Sequence, residues 1–198
     1  MAGITSTPAR SARSARTAPG LALAVLTCAG VLAAAGTAYA LPSKAQWEAD
    51  VKKAVAPAQQ YLKERLPAEG DKPALVLDID NTSLASEYDE GKPVKPTLEL
   101  ARYAKEHGAS VQFVTNRKER GREETRRDLR AAGFPVDGLC MRQKGDDSSK
   151  EKMKTACREG IEERGATIVA NVGNRDTDLA GGHAERTFKL PDYDGELS

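Results

Sequence analysis

A three-layer α/β/α domain built on a parallel sheet is the fold class this sequence predicts, and three observations predict it. Short apolar runs at 74–77, 111–114, 136–141 and 166–172 alternate with stretches of helical periodicity, which is the pattern of a parallel sheet with helices on both faces. Each run is too short for a core helix and is bounded by breakers or polar stops, as a buried strand requires. Three of the runs end in polar clusters of one flavour: Asp78-Ile79-Asp80-Asn81-Thr82, Thr115-Asn116-Arg117, and Gly173-Asn174-Arg175-Asp176-Thr177-Asp178. Ligands of open α/β sheets sit at the carboxyl ends of strands, so these clusters are expected to converge on one site.

The first forty residues stand apart. Arg10, Arg13 and Arg16 precede an apolar stretch at 21–35, and Ala38-Tyr39-Ala40 has the form of a signal-peptidase site, so 1–40 reads as a secretory signal cut after Ala40. The apolar stretch is short for a membrane span, which needs about 20 residues. Thr27 before Cys28 disfavours lipoprotein processing, and the unpaired arginines do not make a twin-arginine address. The remainder, 41–198, is one domain's worth of chain.

Taken in order, that domain opens with Ser43 and Gln46 in capping-box spacing, and Trp47, Val51, Val55, Ala58, Leu62 and Leu66 continue a helix to about Leu66, with Pro57 expected to kink it. The strand at 74–77 follows. The stretch 83–96 is polar and broken by Gly91, Pro93 and Pro96. Helix 97–107 closes on Gly108, and the strand at 111–114 follows. Helix 118–132 has a thin inner stripe of Thr125, Leu129 and Ala132 and ends at Gly133; helix 149–164 ends at Gly165. After the strand at 166–172 come a turn at Gly181-Gly182 and a last strand at 187–190. The interval 83–114 has room for one loop and one helix, so little or no cap domain is expected.

Charge and composition exclude several functions. Without the three leader arginines, 27 of the 30 basic residues remain against 29 acidic ones, and aromatic residues make up only 5%, so neither a polyanion-binding surface nor a base-stacking platform is expected. Cys140 and Cys157 match no zinc spacing; an oxidising destination would allow a disulfide, buried thiols fit equally well, and the sequence leaves the choice open. No phosphate-binding glycine loop and no Gly-x-Ser-x-Gly elbow are present. His107 at a helix end and His183 in a loop are the only histidines, which leaves little for a histidine-based hydrolase. Asp78 to Asp89 opens like a calcium loop, but Ser83 stands where that loop turns on glycine and Asp89 where it closes on glutamate.

What remains is carboxylate chemistry. Asp78 and Asp80, two apart, share a face at a strand end, and two like charges there call for a cation. An aspartate can attack phosphorus to give an aspartyl-phosphate. Asp78 is the expected nucleophile and Mg²⁺ the expected cofactor; Asp80 would protonate the leaving oxygen and later deprotonate water. Thr115 and Asn116 would bind phosphate oxygens, with a lysine from the third region neutralising charge.

These residues together resemble the four motifs of the haloacid dehalogenase (HAD) superfamily: Asp78-Ile79-Asp80-Asn81-Thr82, then Thr115-Asn116-Arg117, then a helix lysine, then Gly173-Asn174-x-x-x-Asp178. Within it the chain looks most like the secreted acid phosphatases, similar to class B acid phosphatases and plant vegetative storage proteins. The likeness extends to Thr125 and Leu129 after the second motif and to Lys189-Leu190-Pro191 near the end. Among Lys150, Lys152 and Lys154, the form Lys154-Thr155-x-x-Arg158 favours Lys154. The resemblance implies catalytic Asp78, Asp80, Thr115 and Lys154, substrate contacts from Asn116, Arg117 and Thr82, and a metal held by Asp78, Asp80, Asn174 and Asp178. Asn174 departs from the commoner acidic residue, although a Gly-Asn-Arg form also occurs in lipin-like phosphatidate phosphatases; Asp176 ranks below Asp178 as the acidic ligand. The implied protein is a secreted, Mg²⁺-dependent phosphomonoesterase acting on small phosphomonoesters, without a nucleic-acid partner or stable membrane insertion. Its alternatives are a nucleotide or lipid phosphate phosphatase and a non-catalytic binding or storage protein.

Overall fold

The computed structural model describes residues 41–66 and 72–197. The expected export signal at 1–40 lies outside them. Five strands form one parallel sheet: β1 (Pro73–Leu77), β2 (Ser110–Lys118), β3 (Gly138–Arg142), β4 (Thr167–Gly173) and β5 (Arg186–Lys189), in the order β3-β2-β1-β4-β5. The helices are α1 (Lys44–Arg65), α2 (Lys95–Glu106), α3 (Arg122–Ala131), α4 (Lys150–Glu163) and the single turn α5 (Asp176–Leu179). The three strands that end in polar clusters are the adjacent central ones. Leu77 pairs with Phe113 on one side and Val172 on the other, so their ends lie level.

Strand side chains alternate between two cores. Leu75, Leu77, Val111, Phe113 and Val172 pack with Trp47, Val51 and Leu62 of α1, Leu98 and Ala101 of α2, and Leu129 of α3. Ala74, Val76, Val114 and Ile168 face the other way, onto Met153, Cys157 and Ile161 of α4. This is the expected three-layer α/β/α arrangement. Between β1 and α2 there are only turns and isolated bridges, Leu84 pairing with Asp80 and with Pro93, and between β2 and β3 only a 3₁₀ turn (Glu119–Gly121) and α3, so no cap domain is inserted among the described residues.

Several boundaries differ from expectation, each for a physical reason. Ser43 caps α1 by accepting the Gln46 N–H (3.3 Å), but the Gln46 side chain reaches forward to Asp50 and leaves the capping box half made. Pro96 does not break the chain; it lies in the first turn of α2, where its missing N–H would have no partner anyway. β2 continues through Thr115, Asn116 and Arg117 because β3 offers further partners, Met141 to Thr115 and Arg142 to Lys118. The charged helix therefore starts only at Arg122, after the 3₁₀ turn. α5 is too short for any periodicity to announce it.

Cys140 and Cys157 are disulfide-bonded across 17 residues, tying β3 to α4. A loop of that length restricts the unfolded chain by about 3 kcal/mol. The paired Cys140→Ala/Cys157→Ala variant is expected to melt roughly 6–12 °C lower; an unchanged melting temperature in a thermal scan would show that the bond does not stabilise the fold. Among the described residues, no helix is long and apolar enough to cross a membrane.

Candidate active site

At the level ends of β2, β1 and β4 lies a cavity of about 230 Å³, and its walls bring together Asp78, Asp80, Thr115, Asn116, Arg117, Lys154, Asn174 and Asp178 from four separate stretches of chain. Asp78 follows β1 directly, its N–H bonded to the Val172 carbonyl (3.0 Å), so the sheet ladder itself fixes the carboxylate's origin. The turn beyond is tight. The N–H groups of Ser83 and Leu84 return to the Ile79 carbonyl, and Asn81 takes a left-handed conformation (φ 56°) that asparagine tolerates better than most side chains. Ser83 donates to the Asp78 carbonyl (2.6 Å).

The floor of the cavity is a buried trio. Lys154, reaching across from α4, places its Nζ 2.6 Å from Asp78 Oδ1 and 2.5 Å from Asp178 Oδ1. Lys150 and Lys152 are exposed, although Lys150 reaches the cavity rim. Asp178 is steered by its other oxygen, which accepts the Arg175 N–H (2.8 Å) at the start of α5. Gly173 makes this approach possible: a side chain there would strike the Asp178 carboxylate. Two carboxylates share one ammonium, so the floor carries a surplus negative charge. Burial pushes the Asp78 carboxyl up, Lys154 opposes it, Asp178 adds to it, and the net result is about 7. Lys154 moves up as well: burial disfavours its charge, but the two carboxylates outweigh that.

Asp80 stands in the wall and is differently placed. Arg117 grips its carboxylate with Nε (3.1 Å) and Nη2 (2.6 Å), and the Ser86 hydroxyl donates to it (2.7 Å). Burial pushes Asp80 up, but the Arg117 and Ser86 bonds win and hold it below the usual carboxylate range. Both oxygens of the Asp80 carboxylate are thus engaged by Arg117, and one of them by Ser86 as well. Asn116 Oδ1 accepts a hydrogen bond from Arg142 Nε (2.6 Å), which leaves the amide N–H₂ for an anion in the cavity. Arg142, buried and itself bonded to the Asp146 and Ser148 carbonyls, had drawn no attention in the sequence.

Thr82 does not line the cavity. It is fully buried and donates to Asn174 Oδ1 (3.3 Å), so it supports Asn174 instead of facing a substrate. At its other end, the Asn174 amide donates to the Leu197 carbonyl (3.2 Å), which Arg175 also holds (3.1 Å). An amide suits this seat, since a carboxylate would set oxygen against that carbonyl. Asn174→Asp is expected to destabilise the metal-free protein by about 1–3 kcal/mol; chemical denaturation in chelator measures it, and equal stability would refute the amide argument. Arg158, the last residue of the Lys154-Thr155-x-x-Arg158 pattern, is fully buried and bonds the carbonyls of Asp178 (2.8 Å), Gly182 (2.9 Å) and Ala180, clamping the fourth cluster to α4.

Among the described residues, no group of three or more His, Cys, Asp or Glu side chains is arranged to hold a metal ion. The donor set nevertheless fits Mg²⁺, which binds through one or two carboxylates and completes its shell with substrate phosphate and water. Asp78 and Asp178 would supply the carboxylates, and the surplus negative charge they share with Lys154 is of the sign a cation removes.

This parallel α/β domain carries a carboxylate-floored cavity at the ends of its central strands, and its class is that of the haloacid dehalogenase-type hydrolases. The chain belongs to the HAD superfamily, subfamily IIIB (acid phosphatase), whose family model matches residues 86–196, and it is accordingly a phosphoric monoester hydrolase. That match begins just after the Asp78–Thr82 cluster. Among solved structures, the class C acid phosphatase from Bacillus anthracis is similar at 20% identity over 70% of this chain and 67% of that one, with a TM-score of 0.54. The class C acid phosphatase from Bacillus anthracis with tungstate bound is similar at 18% identity over the same shares, with a TM-score of 0.56. At such identities the likeness concerns the fold. No curated protein matches the sequence.

Proposed function

We propose that this acid phosphatase is secreted and hydrolyses phosphomonoesters through an aspartyl-phosphate on Asp78, with Mg²⁺ as cofactor. The observation that carries the reading is the buried Asp78–Lys154–Asp178 trio beneath a cavity whose wall holds a second, separately tuned carboxylate, Asp80. Asp78 and Asp178, with the Asn174 amide oxygen, would hold the ion, which when bound supplies charge neutralisation for the substrate phosphate. Asp78 attacks phosphorus as the ionised carboxylate, kept in place by the β1 ladder and by Lys154. Thr115, buried at the cavity edge, and the free Asn116 amide donate to phosphate oxygens, and Lys154 offsets charge developing on the transferred group. Asp80 protonates the leaving oxygen and afterwards takes the proton of the attacking water. To do so it must leave the Arg117 clasp, and an arriving phosphate offers Arg117 a competing partner of the bidentate kind it prefers.

The test is hydrolysis of p-nitrophenyl phosphate by the chain lacking residues 1–40. Turnover is expected with Mg²⁺ and to fall to background in chelator, returning on Mg²⁺ addition. Turnover unaffected by chelator would remove the metal from the proposal, and no turnover under any condition would remove the activity. Export is tested separately: the full chain fused to a periplasmic reporter should be recovered outside the cytoplasm with its amino terminus at Leu41.

A further inference from the structure

Beside the reaction cavity lies a second chamber of about 500 Å³ that shares Asp80 and Arg117 with it. We infer that this chamber receives the leaving group and that it suits a neutral polyhydroxyl group, so that the preferred substrates are sugar or polyol monophosphates, not nucleotides or lipid phosphates. The inference rests on the phosphomonoesterase reading above, since it takes Asp80 as the proton donor. The leaving oxygen must lie within hydrogen-bond reach of that donor. The remainder of the leaving group then extends along the wall Asp80 helps to form, and this chamber shares that wall with the reaction cavity.

The lining decides the chemistry. Ser86 and Thr125 present hydroxyl-bearing side chains, and Glu90, Glu124 and Asp128 present carboxylates. Thr125, which the sequence placed on the inner stripe of its helix, is a buried residue of α3 that also reaches this wall. Sugar hydroxyls both donate and accept, and so they match carboxylates, hydroxyls and the neighbouring Lys118 and Arg120 alike. Among the described residues no aromatic side chain lines the chamber, so a nucleobase finds no ring there to stack on. The one large apolar lining residue among those described is Leu84, itself 2% exposed, so an acyl chain has almost no apolar surface to cover.

The experiment compares kcat/KM for glucose 6-phosphate, AMP, a short-chain phosphatidate and p-nitrophenyl phosphate on the Mg²⁺-loaded protein, for the natural chain and for Asp128→Ala. Glucose 6-phosphate is expected to exceed AMP and phosphatidate by about tenfold or more. Asp128→Ala is expected to raise KM for glucose 6-phosphate about three- to tenfold while inhibition by inorganic phosphate, which reads the reaction cavity, keeps its constant. AMP or phosphatidate turned over as well as the sugar ester, or an unchanged KM in Asp128→Ala, would overturn the assignment while p-nitrophenyl phosphate hydrolysis kept the phosphatase reading intact. Absence of hydrolysis with every ester would sink both together.

Discussion

Asp78→Asn is expected to reduce phosphate-ester turnover by roughly 10³-fold or more, the scale at which removal of a nucleophile is felt, without loss of the fold. The amide has nearly the shape of the carboxylate but cannot form the acyl-phosphate. Stability should move the other way. In the natural chain, Asp78 and Asp178 share a single ammonium on a buried floor; the variant leaves one carboxylate to one ammonium and removes the surplus charge. Its melting temperature in chelator at pH 8 is therefore expected to equal or exceed that of the natural chain. The two readouts together separate a chemical role from a structural one: lost activity with a preserved melt identifies the nucleophile, whereas retained activity would place the nucleophile elsewhere.

Lys154→Met should have the largest effect on stability. Lys154 is almost completely buried, and removing it leaves two facing carboxylates without their cation. Breaking a buried pair on one side costs about 3–5 kcal/mol, and the loss should be seen in full at pH 8 in chelator. It should shrink at pH 5, where Asp78 can take a proton, and shrink again with Mg²⁺. Turnover should fall by roughly 10²–10³-fold, as for loss of one charge-stabilising donor. A variant as stable as the natural chain at pH 8 would show that the trio does not exist in solution.

The same trio gives the natural, metal-free protein an unusual pH profile. Asp78 is raised in the folded state from 3.8 to about 7, so the stability its protonated form provides is fully present below about pH 4 and is lost as pH rises through 7. Asp80, held low by Arg117 and Ser86 against its burial, contributes in the opposite sense, but its contribution is lost only below the ordinary carboxylate range. Between pH 5 and 8 the Asp78 effect therefore stands alone of the two. The melting temperature in chelator is expected to fall across that interval in the natural chain and to stay nearly level in Asp78→Asn. A slope common to both would assign it to other groups.

How far the site was legible varies by residue. Asp78, Thr115, Asp178 and the three-layer sheet could be read because a buried strand ending in polar residues is a local signal, and strand ends in one parallel sheet must meet. Lys154 was separable from Lys150 and Lys152 only through a family-like pattern; its position beside both carboxylates depends on how far α4 is rotated. Thr82 was misleading for a related reason. Its place in the first cluster suggested substrate contact, yet the turn locked by Asn81 carries it inward to Asn174.

The sequence by itself determined the alternation of strands and helices, the polar strand ends and hence the expectation of a carboxylate-based site, because apolar periodicity and chain stops act over a few residues. Only the tertiary structure decided which partners those carboxylates have: Lys154 between Asp78 and Asp178, Arg117 across Asp80, Leu197 behind Asn174, and Cys140 bonded to Cys157. Each of these pairs joins segments 17 to 76 residues apart, and a separation in sequence carries no distance until packing has fixed one element against the next.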